Sequence, residues 1–299
     1  MDKPAGVTSH DVVARLRRVL DTKAVGHTGT LDPFATGLLV VLVGRATRLA
    51  RFVEGQSKTY RATMRLGLQT DTDDCTGKVV ASSVPEHWPP EAVVRAALEL
   101  VKGAQLQRPP AFSAKHVDGQ RSHRLARRGV EVELAPVTVT VYAMELLAWH
   151  APDAEFRVTV SAGTYIRALA RDVGATLGLG AHLVALRRES IGALSVSDAL
   201  PLDAIDRAAL KPPLAVLGHM PRVELDEVAR AHVGHGRAIP RPDGIDGTVA
   251  LVQGSELVAV AEAVEERLQP VVVLGVHDSR LTTHDSLTTH DSRLTTRDS

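Results

Sequence analysis

The sequence predicts an α+β fold in two domains followed by a polar tail. Its 299 residues exceed the usual size of a single domain. Helical and strand patterns are mixed along the chain without the regular alternation that is typical of a parallel α/β protein. A proline pair at Lys211-Pro212-Pro213 indicates a boundary. We therefore expect a first domain over residues 1–212, a small, mostly β module over 213–276 and a tail over 277–299.

The composition is that of a globular protein with no overall charge bias. Lys+Arg and Asp+Glu are both 35, so net charge indicates no class of partner. The single cysteine, Cys75, excludes an intramolecular disulfide and a cysteine-based zinc site, which fits a reducing cytoplasm. The longest clear apolar run, residues 38–43, is far shorter than the roughly 20 residues that cross a bilayer. The sequence thus predicts a cytoplasmic protein with no membrane segment.

The first domain shows both helical and strand periodicity. Thr8 or Ser9 is suited to cap a helix that ends near Leu20, because apolar residues recur at helical spacing between them. Residues 58–66 alternate loosely between apolar and polar side chains, as a strand does. The other predicted elements are a loop over 26–33, a strand or buried helical turn over 35–43, a short helix over 45–53, a helix over 90–101, strands over 138–147 and 155–160, and a helix over 165–177.

The C-terminal part of the chain has two different compositions. Residues 220–275 form the β module, with its clearest strands at Thr248–Val252 and Leu257–Ala263. From His277 the chain repeats a short unit, HDSRLTT or HDSLTT. A polar repeat without aromatic residues cannot bury a core, so we expect a disordered tail.

The segment GHTGTLDPFATG, residues 26–37, is the most unusual stretch. Its three glycines permit tight turns and a close approach of the backbone to a ligand. Asp32-Pro33 restricts the backbone at a carboxylate, which could serve as a nucleophile, a general base or a ligand. Turn chemistry alone favours the simpler interpretation, an ordinary Asp-Pro turn.

Several long segments resemble the TruB family of pseudouridine synthases. The segment GHTGTLDPFATGLL is similar to the family signature that contains the catalytic aspartate. Four further matches occur in family order over about residues 1–190: MDKPAGVTSHDVV, KTYRATMRLGLQTDTDDCTG, SAGTYIRALARDVG and HLVALRR. The resemblance implies a pseudouridine synthase catalytic fold, with a mixed or antiparallel sheet and flanking helices, and a C-terminal PUA-like RNA-binding module. Family members usually have a strand before the DKPxG motif, so here that strand is either missing or encoded upstream.

The resemblance implies that Asp32 attacks the target uridine. The reaction is an isomerisation in which the N-glycosidic bond breaks, the base turns and a C–C bond forms to the same ribose. No atom is gained or lost, so we expect no redox cofactor, nucleotide or metal.

Other positions match residues that the family uses around the flipped-out base. Arg167 is expected to pair with Asp32, keeping it ionised and oriented. The simpler alternatives are ordinary core packing for Tyr60 and Leu186 and a surface position at the start of a helix for Arg167. The remaining expected roles are stacking on the base by Tyr60, an active-site position for Tyr165, packing against the base by Leu186 and an RNA contact by His27.

A basic segment lies between Lys102 and Arg128. It carries seven positive side chains and one negative, Asp118, in a chain of zero net charge. Such a block attracts phosphate, although a merely solvated basic face is the alternative. It resembles the insertion, about residues 102–130, with which stand-alone family members grip the T-arm of tRNA. The RNA-binding candidates within it are Lys115, Arg121, Arg124, Arg127 and Arg128.

The predicted function is uridine-to-pseudouridine conversion at position 55 in the T loop of tRNA, by a monomer with no obligatory protein partner. A second hypothesis is a non-catalytic tRNA-binding or tRNA-folding protein on the same scaffold. A third is a metal-dependent nuclease using Asp71, Asp73 and Asp74. That acidic cluster is more often a turn with capping side chains.

Overall fold

The computed structural model describes residues 1–112, 116–117, 120–121 and 134–274. The chain divides into two compact units, Met1–Arg222 and a second that begins at Val223. The division falls later than the proline pair at 212–213 because Leu214 and Leu217, which follow it, are buried in the first unit. The expected tail over 277–299 lies outside the described residues, as do residues 113–115, 118–119 and 122–130 of the basic insertion.

The described part of the chain contains strands, α-helices and short 3-10 helices in mixed order. The strands are β1 (Asp2–Lys3), β2 (Val25–Thr28), β3 (Thr36–Leu38), β4 (Val40–Val43), β5 (Lys58–Leu66), β6 (Leu68–Thr70), β7 (Val79–Ser82), β8 (Gly103–Gln107), β9 (His116–Val117), β10 (Gln120–Arg121), β11 (Val137–His150), β12 (Asp153–Val160), β13 (Ala181–Ile191), β14 (Leu194–Ser195), β15 (Arg222–Glu224), β16 (Ile239–Pro240), β17 (Thr248–Gln253), β18 (Glu256–Val264) and β19 (Arg267–Val273). The α-helices are α1 (Ser9–Val19), α2 (Ala50–Glu54), α3 (Glu91–Glu99), α4 (Ile166–Thr176) and α5 (Glu227–Gly234). The 3-10 helices span Gly44–Leu49, Val196–Asp198, Leu202–Ala204 and Pro213–Leu217.

The first unit is built on one mixed sheet. Its strands are ordered β1-β3-β13-β5-β12-β11-β8, and β14 pairs with β13. The pairings are antiparallel except for β13 with β3, which is parallel. This arrangement confirms the predicted mixed or antiparallel sheet, and the predicted strand over 58–66 is β5 with the same bounds.

Strand β5 shows how the alternating pattern places the core. Tyr60 and Met64 are buried on one face, where the apolar side chains of the helices also pack. On the other face Arg61 pairs with Glu155 and Arg65 pairs with Asp153, across to β12. Because successive side chains of a strand point to opposite faces, a single alternating sequence supplies both the core and an outer row of ion pairs.

Helix α1 is fixed at its N-terminus by its own sequence. The Thr8 hydroxyl accepts a hydrogen bond from the Asp11 backbone N–H, and the Asp11 side chain accepts one from the Thr8 backbone N–H. This reciprocal arrangement is a capping box. Val12 and Leu16 then lie on the buried face of the helix, as their spacing predicts.

Two segments differ from their expected structure. Residues 26–28, expected in a loop, form part of β2 and pair with the apolar strand β4. Residues 103–107, at the start of the expected basic insertion and with no predicted strand, form β8 and pair with β11 at the edge of the central sheet. In both cases pairing with a neighbouring strand overrides a local composition that is poor in strand-forming residues.

The second unit has a sheet and a core of its own. Its five strands are ordered β15-β17-β18-β19-β16. Helix α5 is capped by the Asp226 side chain, which accepts a hydrogen bond from the Ala229 N–H at 2.7 Å. Val233 of this helix is buried in the core with residues of the sheet. The predicted small, mostly β module is therefore present. Among all the described residues, no helix is long and apolar enough to cross a membrane.

The parallel pairing of β3 with β13 depends on a glycine. Gly37 has a φ of +102°, and a Cβ built on it would lie 2.3 Å from the backbone oxygen of Arg188. Only a residue without a side chain can combine that backbone conformation with so close an approach. Gly37 therefore lets the segment that follows Asp32 lie directly against β13.

Gly37→Ala is expected to lower the free energy of unfolding by at least about 3 kcal/mol, because backbone must move away from the new Cβ. Gly178→Ala is the matched control, since Gly178 also has a positive φ, +71°, but nothing lies within 4 Å of its Cβ position. The control is expected to cost about 1–2 kcal/mol, from backbone conformation alone. Urea unfolding followed by circular dichroism measures both. Equal losses would contradict the close approach at Gly37.

Candidate active site

Asp32 lies on the short loop between β2 and β3, and its neighbours fix that loop. Leu31 is buried, and the Ser9 hydroxyl bonds both its backbone N–H, at 3.0 Å, and its carbonyl, at 3.2 Å. The Gly6 N–H donates to the carbonyl of Pro33 at 2.8 Å. The carboxylate thus emerges from backbone that is held on both sides, and 34% of its side chain remains exposed.

The predicted ion pair between Asp32 and Arg167 is present. Arg167 Nε lies 2.9 Å from Asp32 Oδ2, and Nη2 lies 3.4 Å from Oδ1. Arg167 is in the first turn of α4, and its side chain is only 5% exposed. The alternative interpretation, that Arg167 is a surface arginine at the start of a helix, is therefore excluded. The two-pronged contact also fixes the orientation of the carboxylate plane.

Arg167 is itself held by three other groups. Nη1 donates to the Thr72 carbonyl at 2.7 Å and Nη2 donates to the Phe112 carbonyl at 2.8 Å. Asp74 Oδ2 lies 3.4 Å from Nη1. Asp74 is buried, and its other oxygen accepts hydrogen bonds from Thr76. The result is a carboxylate–guanidinium–carboxylate row. The sequence analysis considered Asp74 only for a metal-dependent nuclease and did not predict that it would face Arg167.

Burial raises the pKa of Asp32 above its ordinary value, and the nearby Asp74 carboxylate raises it further. The Arg167 guanidinium opposes both effects, and Lys3 contributes in the same direction as Arg167. Arg167 therefore favours the ionised carboxylate, as expected, but it does not outweigh the loss of hydration. Asp32 accordingly takes up its proton at a higher pH than an exposed aspartate does.

Lys3 was missed by the sequence analysis. Its buried Nζ donates to the carbonyls of Pro4 and Val7, both at 2.8 Å, and contacts the Pro33 carbonyl at 3.5 Å. Burial lowers the pKa of Lys3 to about 8, although Asp32 acts in the opposite direction. Lys3 thus ties the N-terminal segment to the backbone next to Asp32.

The other residues that match the family's site occupy different positions in the first unit. Tyr60 and Leu186 are buried in the same core cluster as Leu31. Tyr165 precedes α4, and its backbone is fixed by the Gln107 side chain, which accepts from the Tyr165 N–H at 2.8 Å and donates to its carbonyl at 3.1 Å. Gln107 is a buried polar residue that no sequence motif indicated.

The RNA-binding candidates are only partly described. His27 lies in β2, and burial lowers its pKa, with further lowering by Arg188. The Nδ1 atom of His27 is buried without a hydrogen-bond partner in the described structure. Arg121 belongs by its backbone to β10, which pairs with β9. The remaining candidates, Lys115, Arg124, Arg127 and Arg128, lie outside the described residues.

The carboxylates of the acidic turn that suggested a nuclease are engaged with arginine side chains and with backbone. Asp73 lies 3.1 Å from Arg171, and Asp74 faces Arg167. Asp71 accepts a hydrogen bond from the Lys78 N–H at 2.8 Å. These contacts explain the cluster as a turn that supports the start of α4 and the residues around it.

Comparison with known proteins relates the chain to pseudouridine synthases. The family model for the N-terminal domain of TruB family pseudouridylate synthases matches residues 17–166. The tRNA pseudouridine synthase B of Gloeobacter violaceus is 42% identical over 92% of this chain and 97% of its own length. The corresponding protein of Thermobifida fusca is 45% identical over 91% of this chain and 96% of its own length.

Solved structures show the same relationship. A chain of an H/ACA ribonucleoprotein bound to a substrate RNA containing 2′-deoxyuridine matches with a TM-score of 0.71 and 28% identity, covering 93% of this chain and 84% of that one. A chain of the archaeal box H/ACA Nop10–Cbf5 complex matches with a TM-score of 0.68 and 29% identity, covering 91% of this chain and 84% of that one. The predicted pseudouridine synthase fold is thereby confirmed. On its sequence and its fold, the chain belongs to the TruB family of pseudouridylate synthases.

Proposed function

We propose that the protein converts a uridine in the T loop of tRNA, at position 55, to pseudouridine. The tRNA substrate is supported by relatives that are named tRNA pseudouridine synthase B and match nearly their full length. The observation that carries the proposed mechanism is the pair formed by Asp32 and the buried Arg167. It provides one oriented carboxylate at a partly exposed position, which is what covalent catalysis by a single nucleophile requires.

In the proposed reaction Asp32 attacks the flipped-out uridine and is released again at the end. The bond between N1 of the base and C1′ of the ribose breaks, and a bond between C5 and C1′ forms. The proton on C5 is lost and N1 gains one, so the product has the same atoms as the substrate. Asp32 must be ionised to attack, and Arg167 both orients the carboxylate and favours its charge.

The remaining residues are proposed to receive the base and the RNA. Base stacking on Tyr60 and packing against Leu186 would replace contacts that the base loses when it leaves the RNA stack. Tyr165, two residues before Arg167 in the chain, takes an active-site position, and His27 contacts the RNA near the flipped nucleotide. All of these roles follow from the family match together with the positions described above.

We propose two RNA-binding regions. The basic segment over about 102–130, with Lys115, Arg121, Arg124, Arg127 and Arg128, binds phosphates of the T-arm. The mostly β second unit serves as a PUA-like RNA-binding module. On this proposal the enzyme acts as a cytoplasmic monomer, without a cofactor, a metal or an obligatory protein partner.

Wild-type protein is expected to form pseudouridine at the T-loop uridine of an unmodified tRNA transcript, without added metal or nucleotide and in the presence of a chelator. Asp32→Asn keeps the shape of the side chain but removes the nucleophile, so it is expected to lower the rate by about 1000-fold or more. Asp203→Asn is the matched control, because Asp203 is an exposed residue whose partner is Arg15. Site-resolved detection of pseudouridine and filter binding of the tRNA are the two measurements.

Three outcomes of this experiment would change the proposal. Tight tRNA binding by a folded wild-type protein without conversion would support the non-catalytic RNA-binding hypothesis. Conversion at a different uridine would keep the chemistry but overturn the assigned position. Cleavage of the transcript in a parallel reaction with Mg²⁺ and no chelator, absent when the chelator is present, would support the nuclease hypothesis.

The pH dependence of the rate tests the electrostatics around Asp32. The ionised form is active, so the rate is expected to fall as pH drops through the raised pKa of Asp32. Arg167→Gln removes a group that lowers this pKa, so the acid limb of kcat/KM should move to higher pH and the rate at neutral pH should fall at least about 10-fold. Asp74→Asn removes a group that raises the pKa, so its acid limb should move to lower pH. Shifts of both variants in the same direction would contradict the electrostatic role of the row.

A further inference from the structure

Arg188 is a buried arginine on β13 that neither the family match nor the proposed mechanism assigns a role. Its residue surface is only 1% exposed. Nε donates to the Leu38 carbonyl at 2.7 Å, and Nη2 donates to the Gly29 carbonyl at 2.9 Å. One planar guanidinium thus bonds two backbone carbonyls of the same short segment, which itself lies far from Arg188 in sequence.

Those two carbonyls bracket the loop that carries Asp32. Gly29 comes directly after β2, and Leu38 is the last residue of β3. The backbone of β13 also touches this segment, since Arg188 is the register partner of Gly37. The Asp32 loop is therefore fastened to the central sheet at its start and at its end by the same residue.

The electrostatic environment indicates why an arginine is present. Among the described residues, no carboxylate forms an ion pair with Arg188. Lys58 is a buried cation close by, and its pKa falls to about 8, mainly through burial and further through the charge of Arg188. A buried charge without an opposite partner costs stability. The charge of Arg188 therefore serves no ion pair here, whereas its rigid fork of donors suits two separated carbonyls in a way that lysine cannot reproduce.

We propose that Arg188 is a positioning residue for catalysis: it holds both ends of the Asp32 loop and so fixes the direction from which the Asp32 carboxylate meets the target uridine. The inference rests on the proposed function of Asp32. On this proposal, the adjacent residues Arg187 and Arg188 of β13 have different roles. Arg187 is half-exposed and pairs with Asp2, at 2.7 and 3.1 Å. It also reaches the Thr36 hydroxyl at 3.5 Å, so its side chain contacts other side chains, whereas Arg188 bonds the backbone carbonyls at both ends of the loop.

The test compares Arg188→Lys with Arg187→Lys as a matched control. Arg188→Lys keeps the positive charge but loses the fork, so at least one end of the loop is released. A displacement of about 1 Å at a reacting group can cost about 100-fold in rate. We therefore expect kcat to fall about 10- to 100-fold, with the KM for tRNA and the tRNA affinity changed less than about 3-fold. Arg187→Lys is expected to retain wild-type kcat.

A double-mutant cycle with Arg167→Lys separates positioning from general stability. If both arginines act through the placement of Asp32, the combined variant should lose less than the product of the two single losses in kcat. Losses that multiply would show that Arg188 acts independently of the Asp32–Arg167 pair and would overturn the proposal.

Folding is monitored by circular dichroism and by the thermal midpoint of each variant. If Arg188→Lys does not fold, Arg188→Gln replaces it, because a neutral amide can still donate to one carbonyl without burying a charge. If neither variant folds, Arg188 serves the stability of the fold and the positioning role is overturned. Wild-type kcat in a folded Arg188→Lys variant would also overturn it. Absence of pseudouridine formation by wild-type protein would instead count against the proposed function itself, so the two failures are distinguishable.

Discussion

The ion pair between Asp32 and Arg167 is the interaction on which the rest of the active site depends. Two charges withdrawn from water cost free energy, and only good geometry with further hydrogen bonds compensates that cost. Arg167 meets this requirement with two backbone carbonyls and with Asp74, in addition to Asp32. The guanidinium is consequently held before substrate arrives. Because it is fixed, it can orient the carboxylate of Asp32 while the tip of that carboxylate stays accessible.

The scaffold around this pair serves mainly to hold a short loop still. Lys3 from β1, Ser9 from α1 and Arg188 from β13 all bond backbone atoms of the segment that runs from Gly29 to Leu38. Each of the three side chains is buried. Strained or solvent-exposed loops are usually mobile, and a nucleophile on such a loop would have no fixed direction. Here side chains from three separate elements remove that freedom, so the loop behaves as part of the sheet.

The accuracy of the sequence analysis varied with the range of the interactions involved. Strand β5 and the cap of α1 were predicted correctly because an alternating pattern and a capping box are local properties. The pairing of Arg167 with Asp32 was also anticipated, through the family resemblance. Residues 26–28 were expected in a loop because glycine, histidine and threonine carry no strand signal, and only the pairing with β4 makes them a strand. The roles of Asp74 and Gln107 were missed for a similar reason, since their partners are far away in the chain.

The sequence by itself determined the family, the α+β class, the identity of the candidate nucleophile and the division into a large unit and a small β unit. These properties are encoded in contiguous motifs and in local periodicity. The tertiary structure decided which polar side chains meet at Asp32, how burial and Asp74 together raise the pKa of that carboxyl, and which arginine of the adjacent pair at 187 and 188 turns inward to the loop. Such features arise from contacts between residues that are distant in the chain: Lys3 and Pro33 are 30 positions apart, and Arg188 and Gly29 are 159 apart. No local pattern specifies those contacts, because they exist only once β1, β3 and β13 lie side by side.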